Sequence, residues 1–459
     1  LILLFWIAAT VYASTKGVRF LMLLTLPFTI SLASFVGNLS TWTGGWLKRN
    51  MNVPAGTPVI ATILFVTFIF MNQWGAAIGT SQQNIPLISD AWWNTLTNID
   101  AKAQPDAILT SWWDFGHWFK ALAKRPTTFD GGTQNTPVAH WVGKTLLTGN
   151  EDEAMGILHM LNCGSNNAAT VLEDEFANDT PRAVDTLYRI FQLNKEQARA
   201  ELLKSGVKDP DKILQFTHCD HPQSFVIASD DMIGKGGVWA HFGSWNFTRA
   251  QIYVNTKNGS RKQAVDYVKS LGIKDDDATR LIDELKSQRD DRSINTWISP
   301  WPGYAGTTPC KLSGEIWKCQ NGIEINTTDY SVNQANNGYA VKRVSYVQDG
   351  VFKSREFNKS INDIDAVLIP SDGADSTVVL AQYPLGTSMF TRLFYLKAVG
   401  LRHFDVFDDQ TSVTGGRIIT YEVDWSGQHV NYPYGGNPDE MNKTTNKIKA
   451  ASPKINKTK

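Results

Sequence analysis

The sequence predicts an α+β protein in which transmembrane helices come first and a mainly helical external domain with a β-rich subdomain follows. Three observations support this fold class. Residues 1–75 contain two apolar runs of about 20 residues each, the length that crosses a bilayer. Residues 76–300 show helical periodicity, whereas residues 301–435 are rich in glycine, asparagine and β-type runs. A chain of 459 residues is long enough for two or three domains.

The membrane part is predicted over residues 1–75. Its two spans are residues 18–37, which include only one charged side chain, Arg19, and residues 53–71. Leu1–Ala13 is also apolar but too short to span. It lacks the basic start of a signal peptide, so we expect it to be the remaining part of a helix whose beginning lies outside this chain.

The orientation of these spans does not follow from charge. The loops at 14–19 and 43–52 carry two basic residues each, so the positive-inside count is a tie. Cys310 and Cys319 are separated by eight residues and followed by an Asn-Gly turn, which predicts a disulfide that closes a hairpin. Because disulfides persist in oxidising compartments, we expect residues 76–459 on the extracellular side of a cell membrane.

Two further features bear on this placement. Cys163 and Cys219 either form a second bridge or remain buried thiols. The sequence also contains eight Asn-x-Ser/Thr sequons, some of which arise by chance. They begin at Asn38, Asn178, Asn246, Asn258, Asn326, Asn358, Asn442 and Asn456.

The external part is predicted element by element. Asp179-Thr180-Pro181 is typical of a helix start because an N-cap residue precedes a proline in the first turn. Residues 436–459 have little to bury and are predicted to be a flexible tail. The remaining predictions are helices at 196–203, 261–288 and 387–399, a β-type run at 339–344 and a closing strand at 417–423.

Composition excludes some functions. The net charge is zero and the pI is about 7.2, so the chain is not expected to bind nucleic acid. Sixteen tryptophans and 11% aromatic residues suit glycan or peptide contacts and membrane interfaces, although a large aromatic core would need the same residues.

The most informative stretch is Ser-Trp-Trp-Asp-Phe-Gly-His-Trp, residues 111–118. An indole N–H only donates a hydrogen bond and an ionised carboxylate only accepts one. Trp112, Trp113 and Asp114 could therefore satisfy a serine or threonine hydroxyl completely, and such a pocket rejects ligands that lack the hydroxyl. The alternative is an aromatic cluster that nucleates a core, with Asp114 capping the helix that follows.

This stretch resembles the Trp-Trp-Asp-Tyr/Phe-Gly signature of the catalytic subunit of oligosaccharyltransferase. The resemblance is to the C-terminal part of the archaeal form and runs to about residue 426. It implies a multi-span glycosyltransferase that transfers an oligosaccharide from a dolichyl phosphate or diphosphate donor to Asn in Asn-x-Ser/Thr. The other similar segments are residues 125–131, 134–137, 231–235, 242–246, 388–393 and 421–425.

The resemblance also implies a site. Trp112, Trp113 and Asp114 would bind the sequon hydroxyl, with Phe115 and Gly116 as supporting motif residues; Phe115 stands where tyrosine is commoner.

A second motif of the family, Asp-x-x-Lys or Met-x-x-Ile, corresponds to a mixed Met-x-x-Lys here. Met232, Lys235 and Trp239 are spaced to share one helix face, and Met232 and Lys235 are expected to contact the acceptor. A core stripe would show the same spacing.

Arg19 lies in Gly-Val-Arg-Phe, where the resemblance implies a contact with the donor phosphate. A guanidinium can donate two parallel hydrogen bonds to two oxygens of a phosphate. Snorkelling of Arg19 to the lipid headgroups is the alternative.

The resemblance implies a Mn²⁺ or Mg²⁺ ion, held by acidic loops between earlier membrane helices that this chain does not contain. We therefore assign no catalytic residue and no metal ligand here, and expect this chain alone to be inactive. His218, Cys219, Asp220 and His221 are spaced too densely for a usual zinc site.

The implied partners are a lipid-linked oligosaccharide, an acceptor polypeptide and the membrane. One alternative is a haem-handling membrane protein with a Trp-Trp-Asp run, but the predicted membrane part has no histidine. The other is a non-catalytic, membrane-anchored glycan-binding protein.

Overall fold

The computed structural model describes residues 1–51, 53–54, 56–83, 87–220, 222–335, 338–369, 375–413 and 415–428. The chain divides into two compact units, Leu1–Leu87 and Ile88–Lys459. The sequence predicted this boundary after residue 75, but the third helix continues to Gln83 through a polar stretch. The tail predicted at 436–459 lies outside the described residues.

The first unit contains three helices: α1 Ile2–Ser14, α2 Leu21–Met51 and α3 Thr57–Gln83. In the part of the chain that the structure describes, one helical segment is long and apolar enough to cross a membrane: Val18–Met51, which joins the 3₁₀ turn Val18–Phe20 to α2. The segments Thr57–Met71 and Gln73–Gln82 form a second candidate only if they are counted as one span bent by 47°. A membrane part with several transmembrane helices therefore remains a prediction.

The predicted loop at 43–52 is wrong, because α2 continues through Lys48 and Arg49 to Met51. Side chains in this last part hydrogen-bond to the helix backbone: Thr43 Oγ1 donates to the Leu39 carbonyl, and Arg49 Nε donates to the Gly45 carbonyl at 3.1 Å.

The second unit mixes helices and strands, so the predicted α+β class is confirmed. The predicted start of α9 is confirmed, since the Asp179 side chain accepts from the Arg182 N–H. The helix predicted at 261–288 is two helices broken at 271–274. The helix predicted at 387–399 is only six residues long. The helices are α4 Asp90–Lys102, α5 Gly116–Trp118, α6 Val138–Leu147, α7 Glu151–Gly164, α8 Asn167–Glu175, α9 Thr180–Ile190, α10 Lys195–Lys204, α11 Asp211–Leu214, α12 Asp231–Gly234, α13 Gly236–Gly243, α14 Phe247–Thr256, α15 Arg261–Ser270, α16 Asp275–Ser287, α17 Asp291–Ile298 and α18 Met389–Phe394.

Among the described residues, the strands form two larger sheets and one two-stranded sheet. They are β1 Ile108–Thr110, β2 Ser224–Ser229, β3 Tyr304–Ser313, β4 Ile316–Cys319, β5 Glu324–Asn326, β6 Gln334–Ala335, β7 Gly338–Tyr339, β8 Arg343–Gln348, β9 Val351–Glu356, β10 Ile364–Ile369, β11 Asp375–Gln382, β12 Phe404–Thr411 and β13 Arg417–Val423. The closing strand predicted at 417–423 is β13 and is confirmed.

A four-stranded sheet in the order β1-β2-β13-β12 carries the main core. β1 and β2 are parallel, and β13 is antiparallel to both of its neighbours. The sequence predicted residues 301–435 as a β-rich part with a closing helix and strand. In the structure, its last hairpin, β12–β13, lies in one sheet with strands β1 and β2 of the helical part. β2 was not predicted because all six of its residues are buried, so it lacks the alternation of a half-exposed strand.

The other large sheet has seven strands in the order β5-β4-β3-β11-β10-β8-β9. It has a core of its own, centred on residues such as Val344, Ala366 and Val378. Arg343 and Asp365 form a buried ion pair at 2.7 Å between neighbouring parallel strands.

The four cysteines form two disulfides. Cys310 and Cys319 face each other across the β3–β4 hairpin, which confirms the predicted bridge. Cys163 and Cys219 form the second bridge, which resolves the alternative that the sequence left open. Because Cys219 is bonded to sulfur, it is not a zinc ligand; His221 lies outside the described residues.

Helices α6 and α13 touch through two glycines. A Cβ on Gly143 would lie 2.4 Å from the Trp239 carbonyl oxygen, and a Cβ on Gly243 would lie 2.4 Å from the Gly143 carbonyl carbon. Neither position has room for a side chain, and the close approach fixes α13 against α6. α13 begins at Gly236, immediately after Lys235.

His140 strengthens this contact. Its Nδ1–H donates to the Phe242 carbonyl at 2.8 Å, and its Nε2 accepts from the Tyr188 hydroxyl at 2.9 Å. Burial of His140 lowers its pKa from 6.5 to about 4. The imidazole is therefore neutral in the folded protein at pH values where an exposed histidine is charged.

We expect His140 to make the fold sensitive to acid. Between pH 6.5 and 4 the unfolded chain binds a proton that the folded chain excludes, so the free energy of unfolding falls as pH falls, by up to about 3 kcal/mol. Urea unfolding at pH 7.5 and pH 5 measures this loss. In His140→Asn, which keeps a donor but does not titrate, the loss should be smaller; an equal loss in both proteins would assign it to other groups.

Candidate functional site

The candidate site lies where two parallel strands end. β1 ends at Thr110 and leads into the Trp-Trp-Asp stretch, whereas β2 ends at Ser229 and leads into α12. Because β1 and β2 are parallel neighbours, their carboxyl ends share one sheet edge. Two segments more than a hundred residues apart in sequence are thereby brought together.

Asp114 and Lys235 are in direct contact at this edge. Lys235 Nζ lies 3.2 Å from Asp114 Oδ1, with side-chain exposures of 34% and 25%. The Lys235 ammonium also lies 5.1 Å from the centroid of the Phe115 ring. The other carboxylate oxygen, Asp114 Oδ2, is buried and has no hydrogen-bond partner among the described residues. One oxygen is paired, and the other remains available as an acceptor.

The two indoles beside Asp114 differ in burial. Trp112 is 1% exposed and packs edge-on against Phe129, with ring centroids 5.2 Å apart. Trp113 is half-buried at the start of a 3₁₀ turn, Trp113–Phe115. Within the part of the chain that the structure describes, neither indole N–H donates to a protein acceptor. By contrast, Trp141 Nε1 donates to Asn166 Oδ1 at 2.7 Å.

The core and recognition interpretations of this stretch are therefore compatible. Phe115 is buried and stacks on Trp92, with centroids 4.6 Å apart. The predicted helix cap is absent, since no side-chain capping bond from Asp114 forms. The aromatic rings form part of the core, while the polar atoms of Asp114 and the two indoles are not used by it.

Gly116 is required by packing. A Cβ at this position would lie 2.4 Å from the Phe129 carbonyl oxygen and 2.5 Å from Asp130 Cβ. Asp130 is itself held in place: it pairs with Lys120 and accepts from the Gly132 and Thr133 N–H groups. The hydrogen bond from Lys120 lowers the pKa of Asp130.

Met232, Lys235 and Trp239 do not share one helix face, and this prediction is wrong. α12 ends at Gly234 and α13 begins at Gly236, so the helix is interrupted at Lys235. Met232 is fully buried and its carbonyl accepts from Trp239 Nε1 at 2.9 Å. The Met232 thioether therefore offers no exposed wall to a ligand; it lies below the site, whereas Lys235 reaches the surface.

The structural role of Ser111 was not predicted from the sequence. Its hydroxyl donates to the Ile227 carbonyl at 2.8 Å and lies 3.6 Å from Met232 Sδ. Ser111 thus ties the Trp-Trp-Asp stretch to β2 and α12. Its position directly before Trp112 was the available signal.

Arg19 belongs to the first unit. It lies in the 3₁₀ turn Val18–Phe20, is exposed, and has its guanidinium carbon 5.3 Å from the centroid of the Phe20 ring. Its predicted contact with a donor phosphate stays a prediction.

Among the described residues, no group of three or more histidine, cysteine, aspartate or glutamate side chains is arranged to hold a metal ion. Mn²⁺ or Mg²⁺ as a cofactor therefore stays a prediction.

Two curated archaeal proteins are similar to this chain. One, from Methanocaldococcus jannaschii, is 28% identical in a match that covers 57% of this chain and 35% of the relative. The other, from Methanococcus voltae, is 25% identical and covers 54% of this chain and 34% of the relative. Both are named dolichyl-phosphooligosaccharide-protein glycotransferase, so the resemblance predicted from the motifs is confirmed. The match spans about a third of each relative's length.

Among solved structures, the crystal structure of the C-terminal domain of PglB from C. jejuni aligns with 72% of this chain and 98% of its own, at 11% identity and a TM-score of 0.33. A similarity this low carries no argument about function. No protein-family model matches the chain.

Proposed function

We propose that this chain binds the acceptor sequon in an oligosaccharyltransferase, which transfers an oligosaccharide from a dolichyl phosphate or diphosphate to Asn in Asn-x-Ser/Thr. The names of the two relatives support the reaction class. The observation that carries the residue assignment is the unpartnered Asp114 Oδ2 beside two free indole donors. The names favour this function over the haem-handling and glycan-binding alternatives.

In the proposed complex the sequon hydroxyl donates to Asp114 Oδ2 and accepts from the indoles of Trp112 and Trp113. A hydroxyl has one donor and two acceptor sites, so the three partners satisfy it fully. An acceptor without the hydroxyl would leave these groups unpaired, which disfavours its binding.

Lys235 and Met232 have different parts in this proposal. Lys235 fixes Asp114 through Oδ1 and offers its aliphatic stem to the threonine methyl group, because its side chain is partly exposed. Met232, being buried, supports the floor of the site together with Ser111. The Trp-Trp-Asp stretch and the segment from Met232 to Lys235 are held in position relative to each other by Phe115, Gly116 and Trp239.

The donor side of the proposal involves Arg19, whose guanidinium would contact a phosphate of the lipid-linked oligosaccharide. Mn²⁺ or Mg²⁺ would neutralise the leaving phosphate. We assign no residue of this chain to the metal and none to catalysis. The two disulfides support an external, oxidising location for the second unit.

The proposed function is tested by incubating the full-length protein with lipid-linked oligosaccharide, Mn²⁺ and a fluorescent Asn-x-Thr peptide. We expect a glycopeptide with that peptide and none with Gln-x-Thr or Asn-x-Ala peptides. Binding of free glycan without transfer to any peptide would contradict the proposal and favour the glycan-binding alternative. Preparations of this chain alone, expected to be inactive, serve as the blank.

A second experiment addresses Lys235. We expect Lys235→Ala to raise the acceptor KM and to narrow the preference for Thr over Ser sequons, because a buried methyl group is worth about 1 kcal/mol. Lys235→Met, which keeps an apolar stem, should retain more of that preference while still losing the ion pair. Competition between Thr and Ser peptides in one reaction measures the preference for Thr over Ser.

Lys262→Ala, an exposed lysine on α15, is the matched control and should change neither quantity. If Lys235→Ala leaves both the KM and the Thr-to-Ser ratio unchanged, Lys235 does not contact the acceptor.

A further inference from the structure

The chain's own sequons differ in whether the fold uses their polar groups. Six of them lie in the described residues, whereas Asn442 and Asn456 do not. An acceptor must present two groups at once: the asparagine amide, which receives the glycan, and the hydroxyl two residues later, which the proposed site binds.

Three sequons are disfavoured at the asparagine. Asn38 lies within the apolar helix α2. Asn246 caps α14, and its Oδ1 accepts from the Arg249 N–H at 2.9 Å. Asn326 is half-buried, and its Oδ1 accepts from the Thr328 N–H at 2.8 Å. To enter an active site, the side chains of Asn246 and Asn326 must leave these hydrogen bonds, and Asn38 would carry a glycan on an apolar helix.

In two further sequons the asparagine is exposed, at Asn258 and Asn358, but the fold already uses the serine hydroxyl two residues later. Ser260 begins α15 in a capping box: its hydroxyl donates to Gln263 Oε1 at 3.0 Å and accepts from the Gln263 N–H. The Ser360 hydroxyl donates to the Asn362 carbonyl and accepts from the Asn362 N–H at 3.2 Å. Each hydroxyl must leave these bonds before another protein can bind it.

Asn178 differs at both groups. It is exposed in the turn between α8 and α9, with φ 64°, and its backbone N–H donates to the Glu173 carbonyl at 2.8 Å. Among the described residues, neither the side-chain amide of Asn178 nor the Thr180 hydroxyl has a hydrogen-bond partner. The Asp179 side chain between them accepts from the Arg182 N–H at 3.3 Å.

We propose that Asn178 is a modification site that carries an N-linked oligosaccharide. This proposal rests on the proposed function and on the external location of the second unit. In the step, Asn178 Nδ2 forms a bond to the anomeric carbon of the donor sugar and loses a proton to the solvent. The bond between that carbon and the phosphate oxygen of the lipid donor breaks, and the phosphate leaves with the electron pair.

Glycopeptide mass spectrometry of the full-length protein, purified from its own cells, tests this. Asn258 and Asn358 lie in Ser sequons, so the comparison uses Thr180→Ser, which makes the Asn178 sequon a Ser sequon as well. Freeing a hydroxyl from a hydrogen bond lowers acceptor efficiency about five-fold, so the ratio of glycosylated to unmodified peptide at Asn178 in this variant should exceed that at Asn258 and Asn358 by about five-fold. Asn178→Gln and Thr180→Ala should each remove the glycan from that peptide. Asn358→Gln, the matched control, should leave it in place.

Equal occupancy at Asn178, Asn258 and Asn358 would overturn the proposal, since transfer would then ignore the folded state. So would a bare Asn178 in a protein that glycosylates an Asn-x-Thr peptide in vitro. Failure of the peptide reaction itself would instead count against the proposed function, so the two failures are distinguishable.

Discussion

Asp114→Asn is expected to lower transfer to Asn-x-Thr peptides by about two to three orders of magnitude while leaving the protein folded. An asparagine amide has one acceptor oxygen and one NH₂ group. If the oxygen faces Lys235, the NH₂ faces the acceptor hydroxyl beside two indole donors, and the hydroxyl's own proton has no acceptor. A lost charge-assisted hydrogen bond plus an unsatisfied buried group costs about 3 to 4 kcal/mol.

The measurement is kcat/KM for the full-length protein with Thr, Ser and hydroxyl-free peptides. Asp114→Asn should reduce the Thr and Ser reactions, whereas the hydroxyl-free peptide should give no glycopeptide with either protein. Thermal unfolding monitors the fold. Asp174→Asn, at an exposed aspartate on α8, is the control and should behave as the wild type. A variant that keeps near-normal kcat/KM would assign Asp114 to structure alone.

The second large effect is expected from Gly243→Ala. The added Cβ would lie 2.4 Å from the Gly143 carbonyl carbon, so α6 and α13 must separate. Overpacking of this kind costs about 1 to 3 kcal/mol. Because α13 begins directly after Lys235, the shift also moves Lys235 relative to Asp114, which it contacts at 3.2 Å.

We therefore expect both a lower unfolding temperature and a raised acceptor KM, measured at a temperature where the variant is still folded. Gly79→Ala is the matched control: it lies in helix α3, and its added Cβ would meet no atom within 4 Å. An unchanged KM in folded Gly243→Ala would show that the helix crossing does not position Lys235.

Much of the candidate site could be predicted from the sequence because its chemistry is local. Trp112, Trp113 and Asp114 are consecutive, and the numbers of donors and acceptors that their side chains carry follow from residue type alone. The disulfide between Cys310 and Cys319 also follows from short spacing and a turn. Similarly, the start of α9 at Asp179-Thr180-Pro181 depends on adjacent residues.

What could not be predicted depends on contacts between distant segments. Helical spacing put Met232 and Lys235 on one face, but the interruption of the helix at Lys235 buries the first and exposes the second. β2 has no alternating pattern because it is buried on both faces, and its parallel pairing with β1 is what brings Lys235 to Asp114.

The residue types along the chain therefore determine which groups can bind a hydroxyl, and the pairing of strands and the packing of helices determine which of these groups are free to do so. The same division applies to the sequons. Their positions are evident from three letters of sequence. Only the structure shows that, among the described residues, the side chains of Asn178 and Thr180 make no hydrogen bond whereas those of other sequons do.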